Sequence, residues 1–135
     1  AEWEYACRAT TITTYNTGAC LSDVKANYNW KYPYNICTNT NESYPGATQS
    51  VGSYSANSYG LHDMHGNVWE YCSDWFDDYP VNPQSNPTGP ATGLTKVIRG
   101  GSWDNEAQHC RSAFRGDGNL GGANSIIGFR IVLIP

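Results

Sequence analysis

Charge is scarce in this chain, and positive charge most of all. Charged residues make up 15% of the 135 positions, with 8 Lys and Arg against 12 Asp and Glu, for a formal net charge of −4. A protein that grips a nucleic-acid backbone needs a basic face to displace phosphate counterions, and this sequence cannot build one. No apolar run approaches the roughly 20 residues of a membrane-spanning helix. No secretory signal is visible at the start, where "AEWEYACRAT" carries acids and aromatics rather than a basic then apolar leader. Short catalytic signatures are missing too. There is no Gly-x-Ser-x-Gly elbow, no His-Glu-x-x-His pair and no phosphate loop. "GDGNLGG" at 116–122 is glycine-rich, but it lacks a lysine and a strand–helix frame, so it reads as a flexible surface loop.

Aromatics and turn formers fill the gap. The chain has 10 Tyr, 5 Trp and 14 Gly, which predicts a core built from rings and a fold spending many residues on loops. Its 5 cysteines predict disulfides and an oxidising setting, namely extracellular, cell-surface or periplasmic. The competing reading is buried free thiols in a cytosolic protein. The odd count leaves one thiol over. Cys20 and Cys37 bracket a loop that shows no core of its own. A bridge there would remove unfolded-state entropy worth about 3 kcal/mol.

The length fits one domain. Residues 1–8 read as the last turns of a helix that begins ahead of them. Residues 9–60 show no helical period and read as long organised loop. Strand-like runs lie at 50–54, 67–75, 95–103, 110–115 and 128–134, and a proline-rich loop fills 79–93. The class is α+β.

The stretch "GLHDMHGNVWEYCSDW" at 60–75 is dense in chemistry. A turn curling Asp63, the carbonyls of Gly66 and Val68, and Glu70 around one point would offer the oxygen ligands that Ca²⁺ prefers. Alternatively, the two acids cap turns and accept backbone N–H groups. His62 and His65 have no third nitrogen or thiolate at zinc-ligand spacing and read as solvated or hydrogen-bonding side chains. Trp69, Trp75 and Trp103 read as core. Arg99, Arg115 and Arg130 read as ties to carboxylates or loop carbonyls.

The blocks "AEWEYACR", "ANYN", "VGSYSANSYGLHDMHGNVWEYCSDW", "NPTGPATG", "VIRGGSW", "CRSAFR" and "IGFRIVLIP" resemble, in this order, the formylglycine-generating enzyme (sulfatase-modifying factor) family. That resemblance implies a C-type lectin-like fold, a small twisted antiparallel sheet with long irregular loops. It also implies that residues 1–135 form the C-terminal part of a larger domain, with the rest cleaved, disordered or carried elsewhere, for instance on another chain. The Asp63–Glu70 spacing is a calcium site in the family. A second calcium site would use Asn27, the carbonyl of Tyr28, Glu42 and the carbonyl of Tyr44. Relatives suggest a second bridge between Cys72 and Cys110, leaving Cys7 as the odd thiol. The family's enzyme holds copper(I) between two thiolates. Ala107 and Ser112 stand at those positions here, so copper is not expected.

The resemblance also reaches non-catalytic members, the variable proteins of diversity-generating retroelements. On their pattern, polar and aromatic residues set between framework strands form a binding surface for protein or glycan. Those residues are Trp103, Asp104, Asn105, Glu106, His109, Phe114, Asp117, Asn119, Asn124 and Ser125, with the apolar residues of "VIRGGSW", "CRSA" and "IGFRIVLI" facing the core. A divergent oxidoreductase and a structural or assembly subunit are the alternatives, since fold alone does not give function.

Overall fold

The computed structural model describes residues 1–39, 41, 43–119, 121 and 124–132. Among these residues, one α-helix and four strands are embedded in loops. Helix α1 spans Glu2–Arg8, with Glu2 and Glu4 in its first turn and Arg8 in its last, each sign matched to the nearby end of the helix dipole. It stops at Ala9, which adopts a left-handed conformation.

The strands are β1 (Trp69–Trp75), β2 (Lys96–Arg99), β3 (Gly116–Gly118) and β4 (Ile127–Gly128). They form one mixed sheet in the order β3-β2-β1-β4. The pairs β1–β2 and β2–β3 are antiparallel, while β4 joins the other edge of β1 in parallel. A short 3-10 turn, Ala107–Cys110, sits between β2 and β3.

Several sequence expectations change here. Residues 50–54 and 110–115 form turns, not strands. In the second case, the Phe114 N–H bonds the Arg111 carbonyl and the Ser112 N–H bonds Thr14, so the backbone is satisfied without a strand partner. The glycine-rich stretch expected as a free loop supplies β3, pinned by Lys96, Val97 and Ile98 of β2. Phe129, Ile131 and Val132 are exposed rather than core-facing, while Val97 and Ile98 are buried as expected.

The aromatic core is present, but it lies under the loops. Tyr15, Leu21, Ala26, Tyr28, Trp30, Ala107 and Cys110 make one buried cluster, with Tyr34 and Tyr44 packed against it. The segment between Cys20 and Cys37 therefore carries core of its own, contrary to its sequence reading. Its rings are buried with their polar atoms served. The Tyr28 hydroxyl donates to the Leu21 carbonyl and accepts from the Asn39 amide, and the Trp30 indole N–H donates to the Ala26 carbonyl.

Candidate functional site

The turn between α1 and β1 is held in an unusual backbone path. Asp63, Gly66 and Asn67 all have positive φ. Gly66 is the position where this matters most. Its N–H donates to the Gly100 carbonyl, and a Cβ there would lie 2.1 Å from the Asn27 carbonyl oxygen. That same oxygen accepts the Asn67 N–H at 2.7 Å. Only glycine lets the two strands of chain approach so closely.

This path brings Asp63, Gly66, Val68 and Glu70 to the wall of one cavity of about 470 Å³. His62, Leu61, Phe129 and Arg130 line it as well. Asp63 accepts the backbone N–H groups of Gly52 and Tyr54, as expected for a turn-capping acid. Glu70 is buried and accepts more. The Trp3 indole reaches one carboxylate oxygen at 2.7 Å, and Arg130 reaches the other at 2.7 Å while also donating to the His62 carbonyl. Arg130 thus ties a carboxylate and a loop carbonyl together. Arg99 does the same with Glu4 and the carbonyls of Ser112 and Phe114, and Arg115 donates to the Asp77 carbonyl.

Next to this cavity, Asn27 is fully buried. Its amide nitrogen donates to the Ala47 carbonyl and to the Asn67 side chain, but its Oδ1 has no hydrogen-bond partner among the described residues. A buried amide oxygen left unsatisfied is rare in proteins. Tyr28 follows it in the core and Tyr44 packs against that core; Glu42 lies outside the described residues. Among the described residues, no three His, Cys, Asp or Glu side chains converge as a metal cluster.

His65 is buried and joins three distant segments. Its Nδ1 donates to the Cys110 carbonyl at 2.7 Å, leaving Nε2 to accept the Asn16 N–H at 3.0 Å. Burial pushes its pKa down to about 4. His62 is exposed, with Nδ1 2.7 Å from the Tyr54 carbonyl.

Cys20 and Cys37 form a disulfide with Cα atoms 5.6 Å apart. The second bridge is not made: Cys72 and Cys110 are free thiols, as is Cys7. The two sulfurs have separate environments. Cys110 is buried in the loop core beside Gly66 and Gly101, whereas Cys72 is half-buried on β1, lining a groove with Glu4, Asp74 and Arg99. The buried Cys7 Sγ lies 3.6 Å from the Ser112 hydroxyl. Burial raises the pKa of all three thiols, that of Cys7 to about 12 and that of Cys72 to about 11, so they stay protonated near neutral pH.

The ten surface positions divide. Asp104, Asp117, Asn119, Asn124 and Ser125 are exposed, and Trp103, Asn105, Glu106, His109 and Phe114 are half-buried. Trp103 donates to the Ser125 carbonyl at 3.3 Å. Asn105 is engaged by Asn29 and Ser102. Phe114 packs on Trp69 and edge-on to His109. Trp69 is buried as expected, while Trp75 and Trp103 are only partly so.

Sequence reasoning missed Arg111. Its guanidinium lies 5.3 Å from the Tyr34 ring and 5.7 Å from the Phe114 ring. The first pairing spans 77 residues, and nothing local signals it.

Comparison with known proteins gives concordant results. The model of the sulfatase-modifying factor enzyme 1-like domain matches residues 1–134. The chain is 38% identical over 135 residues to serine/threonine-protein kinase pkn1 of Chlamydia caviae, covering 96% of this chain and 19% of that protein. It is 36% identical over 140 residues to the formylglycine-generating enzyme of Streptomyces coelicolor, covering 96% and 44% respectively. Among solved structures, Treponema denticola variable protein 1 superposes with a TM-score of 0.76 at 33% identity, over 95% of this chain and 43% of that one. PvdO from Pseudomonas aeruginosa, at 23% identity and a TM-score of 0.65, shares the fold. The chain therefore spans less than half the length of each of these proteins.

Proposed function

The chain belongs to the sulfatase-modifying factor (formylglycine-generating enzyme) family, and on that premise we propose that it is a ligand-binding or display module stabilised by Ca²⁺, not a copper oxidase. The observation that carries this reading is the content of the 103–119 region. Ala107 and Ser112 are fully buried and bear no thiol, while exposed polar residues and half-buried rings lie around them. A copper(I) site needs thiolates; Ala107 and Ser112 supply none, and the free thiols nearest them, Cys110 in the same 3-10 turn and Cys7 3.6 Å from the Ser112 hydroxyl, are buried with their pKa values raised. The likeness to a variable protein at 33% identity supports the same reading. The ligand would be protein or glycan, met by the loops of residues 103–126, because loops on a rigid scaffold are where binding resides.

Calcium is supported by two groupings of oxygen. Asp63, Gly66, Val68 and Glu70 share one cavity, where an entering ion would compete with Arg130 for Glu70. The orphaned Oδ1 of Asn27 would be satisfied by a cation also held by the carbonyls of Tyr28 and Tyr44 and by Glu42. The disulfide fits an extracellular, cell-surface or periplasmic setting, and among the described residues no helix is long and apolar enough to cross a membrane.

The second reading, a divergent formylglycine-generating oxidoreductase, is favoured by the 36% identity to the Streptomyces coelicolor enzyme. A turnover assay with a Cys-x-Pro-x-Arg peptide, copper(I) and O₂ decides between them. We expect no aldehyde product by mass spectrometry. Copper-dependent product formation, lost when the metal is chelated, would overturn the binding-module reading.

A further inference from the structure

Strands β1 and β2 are antiparallel neighbours, a pairing that a hairpin of about two to five residues can close. Here the connection runs over residues 76–95. Its base is fastened where the Phe76 N–H donates to the Thr95 carbonyl at 2.8 Å. Between those two residues, none of positions 77–94 is buried, and among the described residues no backbone–backbone hydrogen bond involves them. A long segment with neither core nor ladder has little local stability of its own.

The segment nonetheless lies across the molecule. Together with Glu4 of α1, Cys72 and Asp74 of β1, and Val97 and Arg99 of β2, it lines a groove of about 840 Å³. It rests on β1 through glycine backbone, where a Cβ at Gly93 would fall 2.8 Å from the Trp75 Cβ and one at Gly89 3.3 Å from the Asp74 Cβ. Among the described residues, a single hydrogen bond ties 77–94 to the rest of the protein. Arg115 makes it, donating from Nη2 to the Asp77 carbonyl at 2.9 Å. The same guanidinium lies 3.7 Å from the Tyr79 ring and 5.3 Å from the Phe76 ring. Arg115 immediately precedes β3, so this hold on the segment is carried by the sheet.

We propose that residues 77–94 form a lid over this groove, hinged at the Phe76–Thr95 pair and latched in its closed position by Arg115. A lid needs two properties, a mobile body and a hold that can be released at small cost. The exposed segment supplies the first. One cation–π contact and one hydrogen bond supply the second. The inference stands apart from the binding-module reading, since it uses neither the calcium positions nor the 103–126 loops.

Cys72 is the reporter, because it lines the groove and is half-buried, whereas Cys7 and Cys110 are fully buried elsewhere. Burial chiefly raises its pKa to about 11, with Arg99, Asp74, the Ala1 amino group and Glu70 as the charges that bear on it. Arg115 is not one of them, so replacing it changes the thiol through access and solvation and not through its charge. The test is alkylation of the unreduced protein with iodoacetamide at pH 8, followed at each cysteine by peptide mass spectrometry. Arg115→Gln and Tyr79→Ala should each speed labelling of Cys72 about tenfold, with Cys7 and Cys110 still protected and the melting curve unchanged. Equal Cys72 rates in the wild type and both variants would overturn the latch. A wild-type rate equal to that of the urea-unfolded chain would show the groove always open, and labelling of Cys72 only in step with Cys7 and Cys110 would tie access to global unfolding; either result overturns the lid. If Arg115→Gln labels all three thiols, that variant has unfolded, and Tyr79→Ala, made at a ring 68% exposed, decides alone.

Discussion

His65 shows how one side chain can set a condition on the whole fold. It is neutral in the folded protein because both ring nitrogens are used, one donating to Cys110 and one accepting from Asn16, and because burial disfavours the charged form. Its folded pKa is about 4, against an ordinary value of 6.5. Above pH 6.5 neither state is charged at this group, and its contribution to stability is complete. As pH falls below 6.5 the unfolded chain takes up a proton that the folded chain refuses, so stability is lost progressively down to pH 4. The loss over that window is roughly 3 kcal/mol, at about 1.4 kcal/mol per pH unit. Urea unfolding at pH 7.5 and 4.5 measures it. His65→Gln should flatten that part of the profile, and an unchanged slope in the variant would assign the pH dependence to other groups.

At the scale of elements, two devices hold loops where strands or helices would otherwise be needed. The first is the glycine turn. Gly66→Ala combines a positive φ with a Cβ driven into the Asn27 carbonyl, and should destabilise by about 3 kcal/mol or more. Thermal unfolding reads this directly, and a shift of less than a degree would mean that the Asn27–Gly66 bridge yields easily. The second is the Cys20–Cys37 bridge, which closes a loop of sequence separation 17. Converting both cysteines to Ala should cost about 3 kcal/mol, mainly by freeing the unfolded chain. Because Tyr28 and Trp30 lie inside that loop, part of the core should loosen with it. A fluorescence change at the tryptophans before global unfolding would report this.

The whole molecule is a set of loops drawn together, and the proposed calcium ions would act at that scale. The Asp63–Glu70 turn borders the Asn27 segment, which it touches through the Asn67 N–H and through the Asn67 side chain. Ions at the two positions would join the early loops, the turn and β1. EGTA should therefore lower the melting temperature of the entire chain in a single transition, and Glu70→Ala and Asn27→Ala should each reduce that sensitivity. Identical melting curves with and without chelator would remove calcium from the account. The apolar surface also belongs to this scale. Phe129, Ile131 and Val132 follow the edge strand β4 and are 75%, 84% and 74% exposed, where the sequence pattern alone reads them as core.

What the sequence by itself determined are properties carried by local composition or by long ordered motifs. The aromatic core follows from 10 Tyr and 5 Trp in a chain poor in aliphatic runs, the helical character of residues 1–8 from their acids and aromatics at helical spacing, and the family from blocks spread along the chain. The Cys20–Cys37 bridge is also legible, although the loop it closes carries part of the core rather than lacking one. What only the tertiary structure decided are pairings across long stretches of chain. Whether Cys72 meets Cys110, whether Glu70 is taken by Arg130 and Trp3, and whether Arg111 lies over Tyr34 all depend on distances set by loops with no periodicity to read. Side-chain chemistry is written at each position. Which groups converge is fixed only when the loop core closes and brings residues 27, 66, 70, 111 and 130 to their places.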